Sequence, residues 1–106
     1  MKKGSIILIP FPFTDLKGSK VRPAVVLSNN GLDVTICFIT SEFKWKTGCD
    51  VFVSPSAFNG LKMPSLIRIG KIATIDSSLV LGVLGELSNV EITELDNGLK
   101  KFFDLM

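Results

Sequence analysis

Six short apolar runs, each closed by turn-forming residues, give way at Ser88 to a helical period, and this succession leaves the chain few folds to adopt. Residues 5–13 and 22–28 are rich in Ile, Val, Leu and Phe. They are bounded by Thr14-Asp15 and Gly18-Ser19 after the first and by Asn29-Asn30-Gly31 after the second, which predicts two strands. Asn30-Gly31 has the form of a tight hairpin turn. Residues 32–40, 50–54, 65–75 and 81–87 supply four more strands, the first of the short ones stopping at Pro55. Pro10, Pro12 and Pro23 remove backbone donors, so the first strand is expected at a sheet edge, or sharply bent, near its end.

Beyond residue 87 the spacing changes. Ser88 and Glu91 stand as in a capping box, and Ile92, Leu95, Leu99, Phe102 and Phe103 follow at three- and four-residue intervals, predicting an amphipathic helix. Gly98 inside it costs up to roughly 1 kcal/mol against alanine, so either close packing or a weak spot is expected there. The expected class is mainly β (α+β): a small, strongly curved antiparallel sheet or partly open barrel with one C-terminal helix packed on it. The 106 residues, 46% hydrophobic and 21% charged, suit one globular domain over 1–106 with a single core. Such a barrel serves many functions, so the fold alone assigns none.

Some chemistries are excluded by composition. The sequence has no histidine, which removes the Ser-His-Asp triad and any base with an ordinary pKa near 7. Cys37 and Cys49 cannot supply the four ligands of a structural zinc site, and no metal or other cofactor is expected. The apolar run at residues 6–9 ends at Pro10, so neither a signal peptide nor a membrane span is expected, and the chain is assigned to the cytoplasm with both thiols free. Net charge is only +2, but residues 1–75 carry ten basic and four acidic groups, a net of +6, whereas residues 76–106 have a net of −4. A polyanion would be drawn to the first half; alternatively its lysines keep a small β domain soluble and guard its edges.

Arg22 and Arg68 are the only two arginines beside ten lysines. Their sites are therefore read as needing a planar, permanently charged fork for phosphate or carboxylate. Gly4-Ser5-Ile6 leading to Pro10-Phe11-Pro12-Phe13, and then Gly18-Ser19-Lys20-Val21-Arg22-Pro23-Ala24-Val25-Val26-Leu27-Ser28, resembles the opening of the PemK/MazF (Kid-like) toxins. Phe38-Ile39-Thr40-Ser41 resembles the end of that family's third strand. Ser65-Leu66-Ile67-Arg68, with Ile72-Ala73-Thr74-Ile75-Asp76, resembles its second signature.

The resemblance implies an SH3-like barrel, usually a homodimer, acting as the toxin of a type II toxin-antitoxin pair: a metal-independent endoribonuclease on single-stranded RNA. It implies catalytic roles for Arg22, Thr40 and Arg68. Departures from the family are also visible. One branch has an aspartate two residues after its second arginine, where this chain has Gly70, and a histidine in the first loop; the usual arginine before Thr-Ile-Asp is Ala73.

In RNA cleavage by the ribose 2′-hydroxyl, negative charge gathers on the phosphate oxygens, and a guanidinium aimed there lowers the barrier without changing protonation. A hydroxyl from Thr40 or Ser41 suits phosphate or 2′-hydroxyl positioning, and Asp15 and Glu42 are named as candidate bases. Lys17, Ser19, Lys20, Ser41, Lys44, Trp45 and Lys46 are assigned to RNA binding, the last three because cations interleaved with an aromatic ring suit unpaired bases beside phosphates. Phe43, next to them, is assigned to packing. Plainer accounts exist for each catalytic candidate: Arg22 as a salt bridge at a strand start, Thr40 as a β-branched strand residue, Arg68 as an outward strand charge. The expected partners are single-stranded RNA, an acidic antitoxin laid on the basic half, and a second copy of the chain, with no membrane. The rival readings are a non-catalytic RNA- or antitoxin-binding module of the same fold, and a gyrase-poisoning toxin acting by protein contact.

Overall fold

The computed structural model describes residues 1–11, 20–44 and 46–105; expectations resting on Pro12, Phe13, Thr14, Asp15, Lys17, Gly18, Ser19 and Trp45 fall outside them. The elements are β1 (Ser5–Phe11), β2 (Lys20–Asn29), β3 (Asp33–Thr40), β4 (Val51–Val53), β5 (Ser65–Asp76), β6 (Gly82–Glu86) and α1 (Asn89–Phe102), with a 3-10 turn at Ser77–Leu79. All pairings are antiparallel, in the order β4-β5-β3-β2-β1-β6, and the sheet curls into a half-barrel with the helix on it.

The near-continuous apolar runs have a physical cause in this curl, which buries both faces of the sheet. Ile6, Val25, Cys37, Ile39, Ile67 and Ile69 turn to the face covered by α1, where they meet Leu95. Their strand neighbours Ile7, Ile9, Ala24, Val26, Val34, Ile36 and Ile75 fill the opposite, concave face, with Leu79 and Val80 against them. A sheet wetted on one side would have alternated apolar with polar residues.

Two local features refine the expectations. Three residues, Asn30 to Leu32, separate β2 from β3, and the Asn30 side chain closes the turn by accepting from the amides of Leu32 (3.0 Å) and Asp33 (2.7 Å). Gly31, at φ +96°, takes the left-handed backbone that this turn requires. β1 is interior, between β2 and β6, but β6 pairs only with Ser5 to Leu8. The expected edge is thus confined to the end of the strand, where Pro10 lies.

The capping box is present: Ser88 Oγ accepts from the Glu91 amide at 3.2 Å, and Glu91 Oε1 accepts from the Ser88 amide at 2.9 Å. Close packing accounts for Gly98, because a Cβ there would stand 2.7 Å from the carbonyl oxygen of Cys49.

One irregularity positions the functional residues. Cys37 pairs with Ile72, yet the next β3 residue, Phe38, pairs with Arg68, so three residues of β5, 69 to 71, have no counterpart on β3. This bulge bends β5 and sets Arg68 and Lys71 at the mouth of the concave face.

Candidate active site

The strand register brings the candidate residues together. Arg68 pairs directly with Phe38, and Ala24 pairs with Phe38 from the other side. Arg22 lies two residues before Ala24, and Thr40 lies two residues after Phe38. Side chains two apart on a strand, or directly opposed across a ladder, share a face. Arg22, Phe38, Thr40 and Arg68 therefore all belong to the concave face, at the end where its apolar layer of Ile9 and Ala24 runs out. Phe11, on the same face two residues beyond Ile9, sets its ring edge-on to Phe38 with centroids 5.3 Å apart.

These residues line a groove of about 520 Å³ with Ile39, Glu42 and Lys71. A second groove of about 320 Å³ shares Arg22, Ile39 and Thr40 and extends past Ser41 to Lys62, Met63 and Leu84. Arg22 and Thr40 thus stand on the ridge between two clefts, a placement suited to a strand that passes over both. Among the described residues the first groove combines three cations, one carboxylate and two aromatic rings, which fits a polyanion carrying flat apolar groups.

The plainer accounts of these residues can now be weighed. Arg22 is exposed and makes no ion pair among the described residues, so the salt-bridge account finds no support there. Thr40 Oγ1 accepts from the Glu42 amide at 3.0 Å. This fixes the hydroxyl oxygen and leaves its proton for an acceptor in the groove. Arg68 is no freely solvated strand charge: its side chain is 18% exposed, and its Nε stands 3.5 Å from Oδ2 of Asp50, whose side chain is 1% exposed.

Asp50 also organises the backbone. Its Oδ1 accepts from the amide of Ile69, the first residue of the bulge, at 3.0 Å, and its Oδ2 accepts from the Thr47 amide at 2.9 Å. Burial, with a smaller contribution from the Asp50 charge, pushes the Cys37 thiol up to about 12. Cys37 therefore stays neutral, facing the Ile69 carbonyl at 3.8 Å, and is neither nucleophile nor base near neutral pH.

The residues assigned to RNA binding separate in space. Ser41 lines the second groove. Lys20 is exposed opposite Phe11, at the groove's margin. Lys44 and Lys46 are exposed between β3 and β4 and line neither groove. Lys17, Ser19 and Trp45 lie outside the described residues. Phe43 is 38% exposed and rests on Phe52, ring centroids 5.9 Å apart, so its packing is peripheral.

Phe11, Phe38 and Asp50 were not singled out from sequence. The two rings stand in the family-like segments without a role of their own, and Asp50 acts on residues 18 and 19 positions away, a relation that no local pattern carries. Gly70 lies against the end of α1: a Cβ would stand 3.1 Å from the exposed Phe102 ring, which would have to give by a few tenths of an ångström. Among the described residues, no three His, Cys, Asp or Glu side chains converge as a metal site would require.

Comparison with known proteins gives the family. A model described as PemK-like, MazF-like toxin of type II toxin-antitoxin system matches residues 2–103. The chain belongs to this family. Among solved structures it is similar to the Mycobacterium tuberculosis toxin MazF-mt6, with 23% identity over 96% of this chain and 98% of that one and a TM-score of 0.79. It is similar also to an endoribonuclease in complex with its cognate antitoxin from a mycobacterial species, at 18% identity, 100% and 97% coverage and a TM-score of 0.78. A MazE-MazF crystal structure from Deinococcus radiodurans aligns at 19% identity, 100% and 97% coverage and a TM-score of 0.76. At these identities the likeness establishes the shared fold. None of the curated proteins matches the chain.

Proposed function

We propose that this toxin-family member is an endoribonuclease that cleaves single-stranded RNA without a metal ion. The observation that carries the reading is the meeting of Arg22, Thr40 and Arg68, from three different strands, in one groove walled by Phe11 and Phe38. The 2′-hydroxyl of the residue before the cut attacks the adjacent phosphorus. The O2′–P bond forms as the P–O5′ bond breaks, the 2′ proton leaves, and the 5′ oxygen takes up a proton. The products are a 2′,3′-cyclic phosphate and a free 5′-hydroxyl. Arg22 and Arg68 hold the charge that builds on the non-bridging oxygens, and Thr40 donates its hydroxyl proton to one of them or to the attacking ribose. Among the described residues Glu42 is the carboxylate that lines the groove, and it takes the 2′ proton in this scheme. Requirement for the 2′-hydroxyl makes RNA, not DNA, the substrate.

The partners follow from the same surface. The cationic groove suits an acidic antitoxin segment that competes with RNA, a reading supported by the antitoxin-bound structures that the chain resembles. A homodimer is proposed through β6, an outer strand of the sheet whose Val83 and Leu84, with neighbouring Leu81, expose apolar side chains. Action in the cytoplasm agrees with the described residues, among which no helix is long and apolar enough to cross a membrane.

The decisive experiment incubates the protein with single-stranded RNA in excess chelator, beside Arg22→Ala and Thr40→Ala. Wild type is expected to cut and leave 5′-hydroxyl ends, and the variants to lose most of the rate. RNA that is bound but intact with wild type would overturn the enzyme reading in favour of a binding module.

A further inference from the structure

We infer that Asp50 is the positioning residue for Arg68: it fixes both the guanidinium and the backbone that carries it, so that the fork faces the groove in one orientation. The inference rests on the RNA-cleavage reading for its kinetic consequence, but not for the pairing itself.

The Asp50 side chain is 1% exposed, and a carboxylate buried so deeply persists only where charge and hydrogen bonds compensate it. Two of its three partners stand at the bulge. Arg68 Nε lies 3.5 Å from Oδ2, while Oδ1 accepts from the amide of Ile69, the residue directly after Arg68. The bulge removes Ile69 from the β3 ladder, so without Asp50 this buried amide would lack that acceptor. The Ile69 carbonyl is in turn engaged by the Cys37 thiol. Oδ2 also accepts from Thr47, which ties the approach to β4 to the same carboxylate.

One carboxylate thereby meets the long side chain at its Nε and the backbone at the very next amide. With Nε turned to Asp50, the terminal nitrogens of the guanidinium remain to meet a phosphate end-on, and the groove is where Arg68 is accessible. Asp50 touches no substrate in this scheme, because Arg68 stands between. A carboxylate that only stapled the 47–50 turn would need no contact with Arg68, so the roles separate by experiment.

The full-length protein, Asp50→Asn, Arg68→Ala and the double variant are compared in single-turnover cleavage of a long single-stranded RNA, with affinity read on the same RNA fully 2′-O-methylated. Asp50→Asn is expected to slow cleavage about tenfold to a hundredfold, as misplacement of a catalytic group does, with affinity little changed. In the Arg68→Ala background it should have no further effect. An equal loss in both backgrounds, or no loss in either, overturns the inference. The Arg68 Nε–H resonance gives an answer independent of activity: it should be sharp in wild type and lost in Asp50→Asn. Should wild type leave RNA intact, that resonance still decides, since its loss upholds the pairing while the cleavage reading falls, and its persistence refutes the pairing. If Asp50→Asn does not fold, the Asp50 carboxylate carbon resonance is compared between wild type and Arg68→Ala. A shift supports the pairing, and identical spectra overturn it.

Discussion

At the scale of single residues, the groove separates charge from geometry. Arg22 has no ion-pair partner among the described residues, so its guanidinium is available to a phosphate, and a lysine there would keep the charge but lose the fork. Arg22→Ala is expected to lower the cleavage rate roughly a hundred- to a thousandfold, with Arg22→Lys restoring only a small part, measured under single-turnover conditions. Cys37 gives a pH prediction. Its thiol stands near 12 in the folded protein against an ordinary value of about 9, so the folded state retains a proton that the unfolded chain releases above pH 9. The associated stability is complete below pH 9 and falls as the pH rises towards 12, by at most about 1.4 kcal/mol per pH unit for one proton. Denaturant midpoints of wild type and Cys37→Ala should therefore run parallel below pH 9 and converge or cross above it, because only wild type carries this loss.

At the scale of elements, two irregularities decide how the site is built. The β5 bulge lifts residues 69–71 out of the ladder and aims Arg68 and Lys71 at the groove. Helix α1 covers the other face and fits closely only because residue 98 has no side chain. Alanine at Gly98 would gain up to about 1 kcal/mol of helix propensity, but its Cβ would meet the Cys49 carbonyl at 2.7 Å, and a backbone atom cannot swing away. Gly98→Ala is expected to destabilise the fold by about 1–3 kcal/mol through overpacking, read from thermal or denaturant unfolding. Cys49 directly precedes Asp50, so the same variant should also slow cleavage by disturbing the segment that carries Asp50.

At the scale of the molecule, the basic first 75 residues and the acidic last 31 meet at the ion pairs Lys2–Glu86 and Lys3–Asp96, but the cations of the groove are not among the residues so paired. The groove carries Arg22, Arg68 and Lys71, whereas Glu91, Glu94 and Asp96 lie on α1, across the sheet. Binding of single-stranded RNA should weaken with salt through counterion release. Removing one phosphate-contacting cation should reduce the slope of log affinity against log salt by about 0.7. Arg22→Ala should show this reduction on 2′-O-methylated RNA, and Lys100→Ala, on the far end of α1, should leave the slope unchanged.

The sequence by itself determined the elements. Apolar runs bounded by Pro, Gly and Asn marked the six strands, and Ser88 with Glu91 marked the helix start, because strand period, turn chemistry and capping are local properties of neighbouring residues. Rarity of arginine and family resemblance also singled out Arg22, Thr40 and Arg68 as candidates. Only the tertiary structure decided the rest. It placed Arg22, Thr40 and Arg68 together, since strand register and curl come from burying both faces of the sheet. It supplied the Phe11–Phe38 wall and gave Arg68 a buried carboxylate partner in Asp50. These contacts join residues 18 to 27 positions apart, and that of Asp50 stands at a three-residue bulge that no local preference encodes.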